Sequence, residues 1–298
     1  RFDAMLTRET QTRGVELLTS STVTHGERLG DKWRLTIRSQ KLFSSTKPHE
    51  ENTKEDKDDS GFLREPSCDF VEDQFSITAK FVVDATGKTA AFATRHGARK
   101  QLFDQLLGAF VFFKCEAADT YTMVEACEDG WWYSALLPES GMVAAWMSDA
   151  DFAKQHRLKD PACWFSQLQQ TTHTKRRLLP AEPLNVPTLH AAASHRLDRF
   201  TGDGWLAAGD AATSFDPLSS QGVFKALRTG ILASYAICDF FKDDLSGLQK
   251  YEQIVAREFD AYLQTRAEVY GQERRWPDSP FWQRRNADVP VRNWCADF

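Results

Sequence analysis

The sequence predicts an α/β chain in which an antiparallel-sheet domain interrupts a domain of strand–turn–helix units. Two short apolar strands, Phe81–Asp84 and Trp205–Ala208, each run into a glycine turn and then a helix. Between them, apolar runs at roughly ten-residue spacing alternate with turn residues, the pattern of a meandering sheet. With 298 residues, 42% of them hydrophobic, the chain can bury a large core.

Composition narrows the function classes. A net charge of -5 gives no electrostatic reason for nucleic-acid binding, and basic runs such as Lys175–Arg177 and Arg274–Arg275 are short enough for a solvated face. No stretch carries the ~18 uninterrupted apolar residues of a membrane helix, and no secretory signal is visible. The six cysteines, at 68, 115, 127, 163, 238 and 295, show no metal or redox spacing. Free thiols in a reducing cytoplasm, and no bound metal, are therefore expected.

The chain opens at Arg1 with a helix already under way: Phe2, Met5 and Leu6 share a face and Gly14 offers a stop. This start predicts that an N-terminal portion is missing. Val15–Leu18 and Thr22–His25 read as short strands, and Trp33, Leu35 and Ile37 alternate with polar residues as a strand does. Residues 44–66 are rich in Lys, Glu, Asp and Ser and predict a flexible loop between hairpin strands. Phe75, Ile77 and Ala79 resume the alternation. Phe81–Asp84 is a buried strand entering the turn Ala85-Thr86-Gly87, with a helix near Thr89–His96.

Four strands follow, at Ala109–Phe113, Tyr121–Ala126, Trp131–Leu137 and Val143–Met147, with turns at Asp129-Gly130 and Glu139–Gly141. Asp149–Gln155 and Cys163–Gln170 predict helices. After Trp205–Ala208 and the loop Gly209–Ser220, a long helix spans about 221–241, with Phe224, Leu227, Ile231, Leu232 and Tyr235 predicted on its buried face. Another, about Leu248–Tyr270, places Tyr251, Ile254, Val255, Phe259 and Leu263 at helical spacing. The expected domains are 1–107 with 201–245, the inserted sheet 108–200, and a helical segment 246–298.

The loop after Trp205–Ala208 carries the chemistry. Asp210, at a strand end, suits hydrogen bonds from cofactor hydroxyls, and Gly209 permits close backbone approach. Pro217 sets the entry to a helix whose first N–H groups lack helical partners and favour negative charge. Reduced flavin carries such charge on its pyrimidine edge, so Gly209, Asp210, Pro217, Ser219, Ser220, Gln221, Gly222 and Val223 are the candidate cofactor-binding residues.

Gly209-Asp210-Ala211-Ala212 with Asp216-Pro217-Leu218-Ser219-Ser220-Gln221-Gly222 resembles the Gly-Asp motif of the FAD-dependent hydroxylase superfamily, which includes aromatic hydroxylases, geranylgeranyl reductases and tryptophan halogenases. Asp84-Ala85-Thr86-Gly87 is similar to that superfamily's Asp-Ala-Thr-Gly element, which packs beside the adenosine side of FAD. Arg1-Phe2-Asp3 with Leu6 resembles, in abbreviated form, the Arg-x-x-Phe-Asp-x-x-Leu helix of the halogenase and reductase branches. The resemblance implies a Rossmann-like FAD-binding domain, with Arg1 near the flavin and the backbone around Val23 near adenine. The Gly-x-Gly-x-x-Gly phosphate loop of that domain is absent from the 298 residues.

On Gly130–Pro138, Trp131 and Tyr133 face one way and Trp132 the other, and these three are candidate substrate contacts for a flat apolar ring. Packing within the sheet accounts for each aromatic equally well. The stretch is similar to the Trp-x-Trp-x-Ile-Pro motif of flavin halogenases and the Tyr-x-Trp-x-Phe-Pro motif of geranylgeranyl reductases, with Ala135 in place of the second Trp. Together with Ser194–Gly230 and the tail 274–285, it resembles the flavoproteins that mature tryptophylquinone-containing oxidases by hydroxylating a tryptophan side chain of a partner protein. That resemblance implies an FAD-dependent monooxygenase acting on an aromatic small molecule or a peptidyl tryptophan, reduced by NAD(P)H or by a separate flavin reductase. Alternatives are a halogenase or olefin reductase of the same superfamily, or a non-catalytic interaction protein without FAD. No catalytic acid or base is assigned. His195 is expected at the surface, Asp216 as a helix cap, and Glu125 is a candidate base.

Overall fold

The structure, a computed structural model, describes residues 2–42, 70–114, 120–138, 141–178 and 181–286. The predicted loop 44–66 and Arg1 lie outside the described residues. The chain divides into two compact units at Val82/Val83.

In the first unit, helix α1 (Phe2–Thr12) ends at Gly14, which takes φ +82°. Strands β1 (Ser21–Leu29), β2 (Lys32–Leu42) and β3 (Phe70–Ala79) form an antiparallel sheet in that order. Trp33, Leu35 and Ile37 of β2 point to one side and are buried, as their alternation predicts. Residues 15–18 form no strand. They join no strand ladder: the Val15 amide donates to the Thr10 carbonyl at 3.1 Å, and a turn at Ser20 (φ +51°) precedes β1, so the extended ladder starts only at Ser21.

The second unit opens within β4 (Val82–Asp84), followed by α2 (Ala91–Arg95) and β5 (Lys100–Leu102). Then come β6 (Leu106–Lys114), β7 (Met123–Cys127), β8 (Gly130–Leu137) and β9 (Gly141–Asp149), the four strands foreseen from the apolar spacing. They are followed by α3 (Ala150–Gln155), α4 (Pro161–Gln170), α5 (Thr174–Leu178), β10 (Glu182–Pro183) and β11 (Thr188–Ala191). Strands β12 (His195–Leu197), β13 (Thr201–Gly202), β14 (Trp205–Ala207) and β15 (Thr213–Ser214) precede α6 (Gly222–Phe240), α7 (Ser246–Tyr270) and α8 (Pro280–Asn286).

Strands β6, β9, β8 and β7 lie side by side, all antiparallel, and β10 and β11 both pair with the outer edge of β6. Alternation gives this sheet two apolar faces. One, with Trp132, Trp146 and Phe113, is covered by Trp164 and Leu168 of α4. The other, with Trp131, Ala145 and Met147, is covered by Tyr270, Phe281 and Trp282 of α7 and α8. The turn before β8 needs Gly130: its φ is +153°, and a Cβ there would run into the Met147 carbonyl. The C-terminal tail locks onto the sheet. Trp282 Nε1 donates to the Cys127 carbonyl at 3.0 Å, and buried Arg285 pairs with Asp149 at 2.5 Å.

Two small sheets, β13-β14-β4 and β15-β12-β5, carry the segments around the glycine turns. One prediction is reversed here. Phe224, Leu227, Ile231 and Tyr235 of α6 are at least 43% exposed, whereas Lys225, Thr229, Ala233 and Ala236 are buried and Leu232 is half-buried. The short side chains let α6 lie close against α7 and the 209–211 turn, an approach that the bulky residues would prevent. Along α7, Tyr251, Val255, Phe259 and Leu263 are buried as predicted, with Ile254 half-buried beside them.

Candidate functional site

Two glycine loops meet at the ends of β4 and β14, where the Ala208 amide donates to the Asp84 carbonyl at 2.9 Å. In the first loop, Asp84 is buried and its carboxylate is consumed locally. Oδ1 accepts from the Thr86 amide (3.0 Å) and hydroxyl (2.6 Å), and Oδ2 from the Ala93 amide (2.7 Å). Thr86 Oγ1 in turn accepts from the Ala91 amide at 2.7 Å, so this turn caps α2. Ala85 and Thr86 are exposed, and Gly87 takes φ +66°.

The second loop leaves β14 through Gly209, whose φ of +61° favours glycine. Its amide donates to Thr229 Oγ1 on α6 at 2.9 Å. Asp210 Oδ1 accepts from Lys225 Nζ at 2.7 Å, and the Asp210 side chain remains 37% exposed. Lys225 also donates to the Thr213 carbonyl, and its ammonium lies 4.7 Å from the Phe215 ring centroid. Phe215 stacks on Tyr262 of α7 at 4.0 Å with 3° between the planes.

Asp216 does cap the turn that follows, accepting from the Leu218 amide at 2.9 Å, yet it is also the hub of a buried network. Its amide donates to the Tyr262 hydroxyl (2.7 Å), which also bonds Ser194 Oγ (2.7 Å). Its Oδ2 accepts from the Tyr270 hydroxyl at 2.7 Å, and Trp131 Nε1 on β8 donates to that same hydroxyl at 2.9 Å. Arg266 bridges Asp216 and Asp104; the Nη2 contact to Asp104, at 2.9 Å, is an ion pair without hydrogen-bond alignment. Burial, reinforced by the Asp216 charge, raises the Tyr262 and Tyr270 hydroxyl pKa values, so both hydroxyls stay neutral.

Beyond Pro217, residues 220–224 are exposed at the mouth of α6. Ser219 Oγ accepts from the Gln221 amide at 3.3 Å. The amides of Gly222, Val223 and Phe224 open the helix and have no helical acceptor. One loop thus presents an accessible carboxylate, free N–H groups and the positive end of a 19-residue helix. A crevice of about 270 Å³ lined by Phe215, Gln221, Phe224, Lys225 and Tyr262 adjoins it.

His195 is a correction: it is buried rather than at the surface. Strand β12 lies between β15 and β5, with His195 directly opposite Ser214. Neither His195 Nε2 nor Ser214 Oγ has a hydrogen-bond partner, although both atoms are buried. Burial and the charges of Lys100, Lys88 and Lys225 lower the imidazole pKa to about 4, so the ring is neutral. Glu125 is likewise not poised as a base. It accepts from the amides of Thr172, His173 and Thr174 at 2.6–3.1 Å and from the Thr174 hydroxyl at 2.7 Å, which fixes the start of α5. Burial works against its charge, but these bonds prevail and lower its pKa.

Trp131 and Trp132 occupy opposite faces of β8 as expected, and both indoles are buried, at 2% and 1% exposure. Trp132 stacks on Trp146 at 5.8 Å and meets Trp164 edge-on. These contacts match the packing reading of the strand; Tyr133 is half-buried. Val23 lies on β1 in the first unit, where the β1–β2 register shifts. Sequence reasoning missed Lys225, Arg266, Tyr262, Tyr270 and Asp104. A lysine in the first turn of a mostly apolar helix was the one available signal.

Residues 55–294 match the tryptophan halogenase family model. A flavoprotein of Marinomonas mediterranea described as an FAD-dependent oxidoreductase, LodB, is 31% identical over 216 residues, 71% of this chain and 58% of its own. The myxobacterial chondrochloren halogenase CndH superposes with a TM-score of 0.78 at 18% identity, over 98% of this chain and 63% of its own. The peptidyl tryptophan dihydroxylase QhpG, essential for tryptophylquinone cofactor biogenesis, superposes with a TM-score of 0.65 at 19% identity, over 99% and 61%. The chain therefore spans little more than half the length of these relatives. Among the described residues, no helix is long and apolar enough to cross a membrane.

Proposed function

The chain belongs to the tryptophan halogenase family, and from that premise we propose that it is the larger part of an FAD-dependent monooxygenase that hydroxylates an aromatic ring, with a tryptophan side chain of a partner protein as the preferred substrate class. The observation that carries this reading is the loop 209–223. It combines an Asp210 carboxylate with an exposed side, Gly209 in a left-handed turn, and open amides at the mouth of α6. That donor and acceptor set fits FAD: a carboxylate for a ribityl hydroxyl, and N–H groups at a helix start for the pyrimidine edge.

When bound, FAD supplies the oxygen-activating chemistry. The chain's own residues hold and shield it. Asp210 and the open amides of Gly222 and Val223 orient the cofactor. Asp84 keeps the Ala85–Gly87 turn in shape, and we assign Arg1 and Val23 to the same cofactor on resemblance. The Asp216–Tyr270–Trp131 bonds tie this loop to the sheet, so a ring lying beside Tyr133 would be held at a fixed distance from it. In this proposal residues 1–107 and 201–245 belong to the cofactor part, 108–200 to the substrate part, and 246–298 to a C-terminal helical segment.

Hydroxylation is preferred to halogenation because Ala135 stands where the halogenase-like motif carries Trp. The fold of QhpG, which acts on a peptidyl tryptophan, supports the substrate class. The test is NAD(P)H oxidation by the flavin-loaded protein, with and without an added flavin reductase, using free indoles and tryptophan-containing peptides. Oxygen incorporated into a peptidyl indole, read by mass spectrometry, supports the proposal. Halide incorporation instead would replace it with the halogenase reading.

A further inference from the structure

Lys225 is in an expensive place. It lies in the first turn of α6, where the helix dipole is positive and disfavours a cation, and it is 3% exposed. Burial lowers its pKa, nearby Lys88 lowers it further, and Asp210 opposes both. Nothing about α6 as a helix requires a lysine here. Gly209 is already fastened to α6 through Thr229, and Ala233 and Ala236 fill the rest of the buried face.

The ammonium spends its donors on the loop: on Asp210 Oδ1 at 2.7 Å and on the Thr213 carbonyl, with the Phe215 face beside it. Asp210 is thus held by one oxygen only. Among the described residues Oδ2 accepts no hydrogen bond, and the side chain stays 37% exposed. A carboxylate on a strand-end loop ordinarily samples several rotamers, and fixing it before a ligand arrives removes that entropy from the binding step.

We propose that Lys225 is a positioning residue that holds Asp210 through Oδ1, so that Oδ2 is presented to a hydroxyl of the bound flavin cofactor. This rests on the flavin reading of the loop and adds to it a residue outside the Gly-Asp motif. The pair is a coupled unit: Lys225 acts on the cofactor through Asp210, so its effect disappears when Asp210 cannot accept the bond as an anion.

The experiment is FAD titration, followed by flavin fluorescence, of the protein expressed from its complete reading frame. It compares wild type, K225M, K225R, D210N and the K225M/D210N double variant, each checked for folding by circular dichroism. The expected result is a Kd raised about 10- to 100-fold in K225M and within about 3-fold of wild type in K225R. In the D210N background, K225M should change the Kd by less than about 2-fold. A K225M protein that binds FAD like wild type overturns the inference while leaving the flavin reading intact. An equal loss with and without D210N overturns it too, because Lys225 would then be acting on the loop as a whole. K225Q replaces K225M if the latter does not fold, and failure of both to fold assigns Lys225 a purely structural role. A wild type that takes up no flavin removes the flavin reading and this inference with it.

Discussion

The Tyr270 hydroxyl donates a 2.7 Å hydrogen bond to Asp216 Oδ2 while accepting a 2.9 Å bond from Trp131 Nε1. One buried oxygen therefore joins the turn that opens α6 to the central sheet, across residues 139 positions apart in sequence. Removing it strands a buried indole N–H and takes one donor from a buried carboxylate. Y270F should lose about 2–3 kcal/mol, the cost of leaving such groups unpaired. Chemical denaturation measures it. A loss below about 0.5 kcal/mol would mean that water replaces the hydroxyl at no cost.

His195 sets a pH dependence. Its folded pKa, about 4, lies below its ordinary value of 6.5, so the native ring is neutral and the unfolded ring takes up the proton first. The stability gained from a neutral His195 is full above pH 6.5. It declines as pH falls through that value and is exhausted near pH 4, a total of about 3 kcal/mol. The difference in unfolding free energy between wild type and H195Q, followed from pH 8 to pH 4, should show this slope. A flat difference would place the imidazole in contact with water.

The residues that sequence reasoning placed correctly are those whose environment is written locally. Strands β6 to β9 follow from apolar runs at roughly ten-residue spacing and from the turn residues Asp129-Gly130 and Gly141 between them, and those features need no knowledge of partners. The Gly209–Gly222 loop is legible because its glycine, aspartate and proline each impose a backbone condition. Other roles depend on distant chain. Glu125 looks like a free carboxylate until Thr172–Thr174, 47 to 49 positions away, close onto it. His195 becomes buried only because β5 and β15 flank β12. The face of α6 follows the same rule: bulk suggests Phe224 and Ile231, but close approach to the 209–211 turn and to α7 selects Thr229, Ala233 and Ala236.

Glu125→Gln tests the clamp on α5. The amide keeps one carbonyl acceptor but loses its charge and half of its bonds to the 172–174 segment, which should cost about 1–3 kcal/mol. FAD affinity should stay within about 2-fold, since Glu125 acts in the sheet and not at the loop. A selective loss of turnover with unchanged stability would instead restore Glu125 as a base.

Gly209→Ala separates backbone strain from space. A Cβ here would meet the Ala226 Cβ at 3.6 Å, an ordinary contact, so the penalty comes from φ +61° alone. A loss of about 1 kcal/mol is expected, read as a lower thermal midpoint with α6 intact. A loss several times larger would point to a clash.

The most direct test of the whole account is the visible spectrum of the protein, expressed from its complete reading frame and desalted after incubation with FAD, with D210A measured alongside. Flavin absorbance retained by wild type, and weakened at least about 10-fold in a folded D210A, is the predicted result. A folded, colourless wild type that does not quench FAD fluorescence would contradict the account and leave the chain as an interaction protein built on a flavoenzyme fold.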